Sequence, residues 1–171
     1  ILDYNPVLAC YRHSRDWDKA IKLHAAIFGT PDWCRLVDGG LMTDQEYAKE
    51  VQKLFADPEM RTLAENVLQD WWTDSLYLIT GMEQLIKDLL ATGMKLYLLS
   101  NVGYSFHKFS YKIPCLDQFS GVMLSCEEKL SKPDPALFQR LCDRFDATDK
   151  EKPRYLSPSA INTYLNCPLQ F

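Results

Sequence analysis

The 171-residue chain has no block of like charge, no apolar run of membrane-spanning length and no closely spaced cysteine pair, and each absence removes a class of function. Lysine and arginine number 19 against 23 aspartates and glutamates, giving a formal charge of -4, and the cations are dispersed. A surface that neutralises a phosphate backbone needs clustered cations, so nucleic acid is not an expected partner of the main domain. No stretch approaches the roughly 20 apolar residues that cross a bilayer. The segment opening at Ile1 is polar and contains proline, unlike a charged-then-apolar signal, and the expected compartment is the cytoplasm. Cys10, Cys34, Cys115, Cys126, Cys142 and Cys167 form no Cys-x-x-Cys and no ligand-like spacing with His13, His24 or His107, so buried, reduced thiols are expected. No internal repeat or low-complexity tract is present. Ile1 stands where a reading frame normally has Met, which leaves a fragment or a late-starting numbering as the two readings.

What is present is a composition 47% hydrophobic and 25% charged, enough for one domain or for a core with a small accessory domain. From about Arg15 to Thr80 the pattern is helical. Ala20, Leu23, His24, Ile27 and Phe28 share one face up to a stop at Gly29. Thr43 and Glu46 have the spacing of a capping box, with Tyr47, Val51, Leu54 and Phe55 forming an apolar face behind them. Asp57-Pro58 reads as N-cap and first helical residue, followed by the stripe Met60, Leu63, Val67, Leu68, Trp71 and Trp72. Trp17, Trp33, Trp71 and Trp72 are all read as core.

Gly81 marks a change of architecture. An amphipathic helix carrying Met82, Leu85, Ile86, Leu89 and Leu90 stops near Thr92-Gly93, and Met94 to Leu99 reads as a strand covered on both faces, as in a parallel sheet. A short helix over Phe106 to Ile113, a second strand over Phe119 to Leu124 and a helix from Pro135 to Phe145 complete an α/β alternation. Residues 146–154 are charged and form a junction. Asp143, Asp146 and Asp149 read as a solvated helix end rather than a cation site.

Two polar motifs carry chemistry. Leu98-Leu99-Ser100-Asn101 ends the first strand, and Lys129-Leu130-Ser131-Lys132-Pro133-Asp134-Pro135 follows about thirty residues later. A strand-end hydroxyl can bond a phosphoryl oxygen, and a lysine on a Pro-Asp-Pro turn can neutralise charge that develops during transfer. Alone, Ser100-Asn101 reads more readily as a polar strand end and Lys132 as a solvated turn lysine. In this order, together with Asp3-Tyr4-Asn5-Pro6, Pro31 to Gly40, Thr43 to Tyr47, Gly81-Met82, Gly93 to Leu96 and Phe119 to Val122, they resemble the haloacid dehalogenase (HAD) superfamily over roughly the first 146 residues.

The resemblance implies an α/β fold: a partial Rossmann-like core with an inserted helical cap. Residues 1–14 would follow the first core strand, 15–80 would form the cap, 81–146 the core, and 147–171 a junction and an unrelated segment. It also implies a Mg²⁺-dependent phosphatase of a small phosphorylated metabolite, working through an aspartyl-phosphate. Ser100 would bind phosphoryl oxygens, Asn101 would border the site, and Lys132 would be the catalytic cation. Lys129 is a lesser candidate because it lacks the adjoining Pro-Asp-Pro.

The family's nucleophile would fall before Asp3, and its metal-binding acidic pair would follow a further strand after Phe145. No turnover and no Mg²⁺ binding are therefore expected of this chain. Without a first strand, the strand ending at Leu99 should expose an edge and promote self-association. The segment from Leu156 to Phe171 resembles the opening of PD-(D/E)XK nuclease domains of helicase-nuclease repair proteins. That gives the alternative of a nuclease-type repair fragment, and a non-catalytic interaction module is a further one.

Overall fold

Asn5 and Pro6 begin the first helix by the same chemistry that Asp57 and Pro58 use to begin a later one. Each side chain accepts an amide of the first turn, and each proline fills a position that needs no donor. The computed structural model describes residues 1–145. Within them the chain is mixed α/β and mostly helical, with two small sheets. After β1 (Leu2–Tyr4) come α1 (Pro6–Ser14), α2 (Trp17–Ile27), a π-helical turn (Trp33–Asp38), α3 (Asp44–Gln52), α4 (Pro58–Asp70) and α5 (Trp72–Ser75). Then follow β2 (Leu76–Leu78), α6 (Met82–Ala91), β3 (Tyr97–Ser100), α7 (Phe106–Phe109), β4 (Gly121–Leu124), α8 (Ser125–Glu128) and α9 (Pro135–Phe145).

The first half is a helical block. α1 packs on α2, α4 and α5, so residues 6–14 belong to this block by contact although the sequence reading starts it at Arg15. β1 and β2 pair antiparallel, Leu2 with Leu78 and Tyr4 with Leu76, which places the chain's entry to the block beside its exit. The exit is held further by Lys112, whose ammonium donates to the carbonyls of Trp72, Thr73 and Leu76 at 3.0, 2.7 and 3.1 Å. These are carbonyls at a helix end, where a cation is electrostatically favoured.

The capping box forms as the sequence indicates: the Glu46 amide donates to Thr43 Oγ1 at 3.2 Å, and the Thr43 amide donates to Glu46 Oε2 at 2.8 Å. Tyr47 and Val51 are buried behind it, but α3 ends at Gln52 and Leu54 is 66% exposed, against the expected apolar face. Trp33, Trp71 and Trp72 are core, as read. Trp71 sits among Tyr4, Phe28, Trp33, Trp72 and Phe109 at centroid distances of 5.7 to 6.1 Å, and its indole N–H donates to Asp44 Oδ1 at 3.0 Å. That bond gives the buried Asp44 a partner, without which its burial would be costly. Trp17 departs from the core reading: it stacks on Tyr11 at the surface and is 52% exposed.

β3 and β4 pair in parallel, Tyr97 with Gly121 through Ser100 with Leu124. Leu98, Val122 and Leu124 turn toward the aromatic-rich main core, while Tyr97, Leu99 and Met123 pack with Leu137, Leu141 and Phe145 of α9. Cover on both faces is why these strands show no alternation in sequence. Among the described residues β3 has β4 as its only strand neighbour. No helix among the described residues is long and apolar enough to cross a membrane. Of the cysteines, Cys10 and Cys126 are buried, Cys115 and Cys142 are half-buried and Cys34 is exposed, and these five are unbridged. Cys167, the last two aspartates of the 143–146–149 series, the charged junction and the nuclease-like segment lie outside the described residues.

Candidate functional site

Parallel pairing puts the carboxyl ends of β3 and β4 at one end of the sheet, the place where open α/β sheets present ligand-binding loops. Ser100 is the last residue of β3 and Asn101 the first beyond it. The Asn101 side-chain amide donates to the Lys132 carbonyl at 2.9 Å, and the Lys132 backbone amide donates back to Asn101 Oδ1 at 2.7 Å. This reciprocal pair fixes the Lys132 turn to the strand end. The turn is closed by Asp134, whose amide donates to the Ser131 carbonyl at 2.9 Å and whose carboxylate accepts the Ala136 amide at 2.9 Å at the start of α9.

Lys132 Nζ donates to the Leu99 carbonyl at 2.9 Å, so the ammonium lies against the residue next to Ser100. Lys132 is exposed overall, yet its ammonium is drawn in at the strand end, and the hydration lost there lowers its pKa. The lowering has no opposing carboxylate among the described residues. An ammonium that has lost water and gained one carbonyl retains donors and positive charge for an anion. The Ser100 hydroxyl, half-buried, makes no hydrogen bond among the described residues. The three residues singled out in sequence therefore meet at one strand end.

Three further features of this end depend on contacts between segments remote in sequence. Ser125, fully buried at the start of α8, accepts the Val102 amide at 2.9 Å and donates to the Asp38 carbonyl at 2.5 Å. The helical block's π-helical turn and the glycines after it are thereby laid on the residues that follow β3 and β4. Gly40 lies so close to α8 that a Cβ would stand 2.0 Å from the Cys126 carbonyl oxygen, and its φ of +70° independently favours glycine. At Gly103 a Cβ would stand 2.6 Å from Val37 Cγ1. Lys129 is committed here rather than to phosphate: its ammonium donates to the Gly40 carbonyl and, at 2.6 Å, to the Tyr104 hydroxyl. The adjoining Gly39-Gly40 pair is the one sequence feature that hints at a close backbone approach.

Asp38 ends the π-helical turn, and burial, with Asp44 adding to it, pushes its carboxyl up to about 7. For Mg²⁺ the site offers a hydroxyl, a carboxamide already paired and an ammonium. That is not the hard anionic oxygen set the ion takes, and no group of three His, Cys, Asp or Glu among the described residues is placed to hold a metal. What the arrangement can do is bind and neutralise a tetrahedral oxyanion. Comparison with protein-family models and with curated proteins finds no match to this chain.

Proposed function

We propose that this chain carries the phosphate-binding end of a phosphatase of the haloacid dehalogenase type, with residues 81–145 as a Rossmann-like core portion and the helical block as its cap. The substrate class is a small phosphorylated metabolite of the cytoplasm. Enzymes of this type use Mg²⁺ held by carboxylates to neutralise the phosphoryl group, and among the described residues no group of three His, Cys, Asp or Glu is placed to hold a metal.

The observation that supports this reading is the meeting of Ser100, Asn101 and Lys132 at the end of β3, where the Lys132 ammonium, with hydration lost, bonds the carbonyl of the residue before Ser100 and the Ser100 hydroxyl has no hydrogen bond among the described residues. Ser100 donates to a phosphoryl oxygen, Asn101 holds the Lys132 turn in place, and Lys132 offsets charge. These are the roles phosphoryl transfer needs from a protein, since its catalysis is chiefly positioning and charge stabilisation. Of the carboxylates at this end, Asp134 is held by the Ala136 amide and Asp38 is half-buried with its pKa raised, so neither is set to attack phosphorus and binding without turnover is expected.

Calorimetric titration with inorganic phosphate tests the reading. The wild type binds, and Ser100→Ala and Lys132→Met weaken binding by about 10-fold or more, the value of a charge-assisted hydrogen bond of about 1.5 to 3 kcal/mol. p-Nitrophenyl phosphate with Mg²⁺ is not hydrolysed. Phosphate binding that is indifferent to Lys132→Met overturns the proposal, and turnover by the wild type overturns the expectation of binding without turnover.

A further inference from the structure

Lys129 lies three residues before Lys132, yet its side chain points to a different task. Its backbone adopts φ 56°, in the left-handed region that an L-residue enters at a cost and that glycine enters freely. A lysine kept there against that preference has work for its side chain, and its contacts show what the work is. The ammonium donates to the Gly40 carbonyl and to the Tyr104 hydroxyl at 2.6 Å, and it lies 5.1 Å from the centre of the Tyr104 ring. The Tyr104 hydroxyl also reaches the Gly40 carbonyl at 3.5 Å. Gly40 lies in the loop that the helical block lays over the carboxyl ends of β3 and β4. Tyr104 follows β3, and Lys129 follows α8. One ammonium thus joins three segments that are remote in sequence.

We propose that Lys129 and Tyr104 are positioning residues that clasp loop 33–42 shut beside the phosphate site, so that this loop meets the organic part of a bound phosphate ester. The second clause rests on the phosphate-site reading above, whereas the clasp itself stands on its contacts. The loop has its own internal bonds, Gly39 amide to Cys34 carbonyl at 3.0 Å, and Leu41 and Met42 amides to Leu36 carbonyl at 2.8 Å each, while Trp33 and Val37 anchor its first half in the core, so residues 39–42 are the part the clasp holds. Ser125 holds the loop's other margin through the Asp38 carbonyl. The charged and titratable groups around the loop are Asp44 on α3, Tyr4 at the end of β1, and Cys34, Arg35 and Asp38 on the loop itself. Arg35 pairs with Asp32, three residues away in the chain, at 2.8 Å, whereas Lys129 is the cation that bonds the Gly40 carbonyl.

Lys129→Gly and Tyr104→Phe test the clasp in the full chain. The glycine suits the backbone while removing the ammonium, and the phenylalanine keeps the ring while removing the hydroxyl. Amide hydrogen exchange at residues 39–42 is expected to rise about 10-fold in Lys129→Gly and less in Tyr104→Phe, with α4 unchanged and the urea midpoint of Lys129→Gly no lower than wild type. Affinity for inorganic phosphate stays the same, while affinity for p-nitrophenyl phosphate falls several-fold toward it. Unchanged exchange at residues 39–42 in both variants overturns the clasp. Equal changes for phosphate and ester, or none for either in variants whose loop has opened, overturn the loop's role toward the ester. A wild type that binds no phosphate overturns the site reading instead, while the exchange data still decide the clasp.

Discussion

Asp38→Asn is expected to stabilise the protein at pH 8 and to leave its stability unchanged near pH 4. The Asp38 carboxyl, half-buried at the end of the π-helical turn, has its pKa raised from the usual 3.8 to about 7 by burial and then by Asp44. A raised carboxyl pKa means that the folded state holds its proton while the unfolded chain has released it. The stability this group contributes is therefore full below pH 4, falls as pH rises toward 7, and is constant above that. A shift of about three units corresponds to about 4 kcal/mol, an upper bound because the loop can lift to hydrate the ion; a loss of about 1 to 4 kcal/mol is the working range. Asparagine copies the neutral acid in shape and cannot ionise, so it loses none of this. Urea denaturation of wild type and variant between pH 4 and pH 8 measures the gap, provided the m-values agree. A gap that does not open with pH, or a variant less stable than wild type at pH 8, refutes the argument.

Glu128 predicts the opposite pH trend. Its carboxylate is 6% exposed and bonded by Arg144 at 2.5 and 2.9 Å and by Arg140 at 3.1 Å, and the Arg144 bonds in particular hold its pKa below the usual range. Glu128→Gln should cost about 1 to 3 kcal/mol at pH 7, less than a fully buried pair because both arginines are partly hydrated, and the cost should fade as pH drops through the carboxylate range. Calorimetric unfolding at pH 7 and pH 3 checks it, and a cost independent of pH counts against it. The side of β3 that has no strand neighbour among the described residues predicts self-association that rises with concentration in sedimentation velocity, and a monomer at all concentrations contradicts it.

Elements with a local physical cause were legible in the sequence. Thr43 and Glu46, Asp57 and Pro58, and Thr92 before Gly93 act within one turn, and the helices they bound are α3, α4 and α6. β3 and β4 were found from runs of apolar residues covered on both sides. Asn5-Pro6 bears the same signal as Asp57-Pro58, yet the family resemblance reads residues 1–14 as the segment that follows a first core strand, whereas α1 packs on α2, α4 and α5. β1 and β2, at three residues each, are too short to show a period. Leu54 and Trp17 match helical spacing yet face solvent, because spacing identifies a face and not what lies opposite it. In the site, Ser100, Asn101 and Lys132 could be named from motif order. Lys129 is named there only as a lesser phosphate cation, and Tyr104, Ser125 and Asp38 not at all, since the roles of these four depend on the loop after Asp38 crossing to the sheet over a separation of 87 residues from Ser125.

A crystal structure of the chain grown with tungstate, an electron-dense stand-in for phosphate, tests the central claim most directly. The account predicts the oxyanion within hydrogen-bonding distance of both Ser100 Oγ and Lys132 Nζ, with the Asn101 to Lys132 pairing intact. An anion seated elsewhere on the molecule, or none at saturating tungstate, contradicts it.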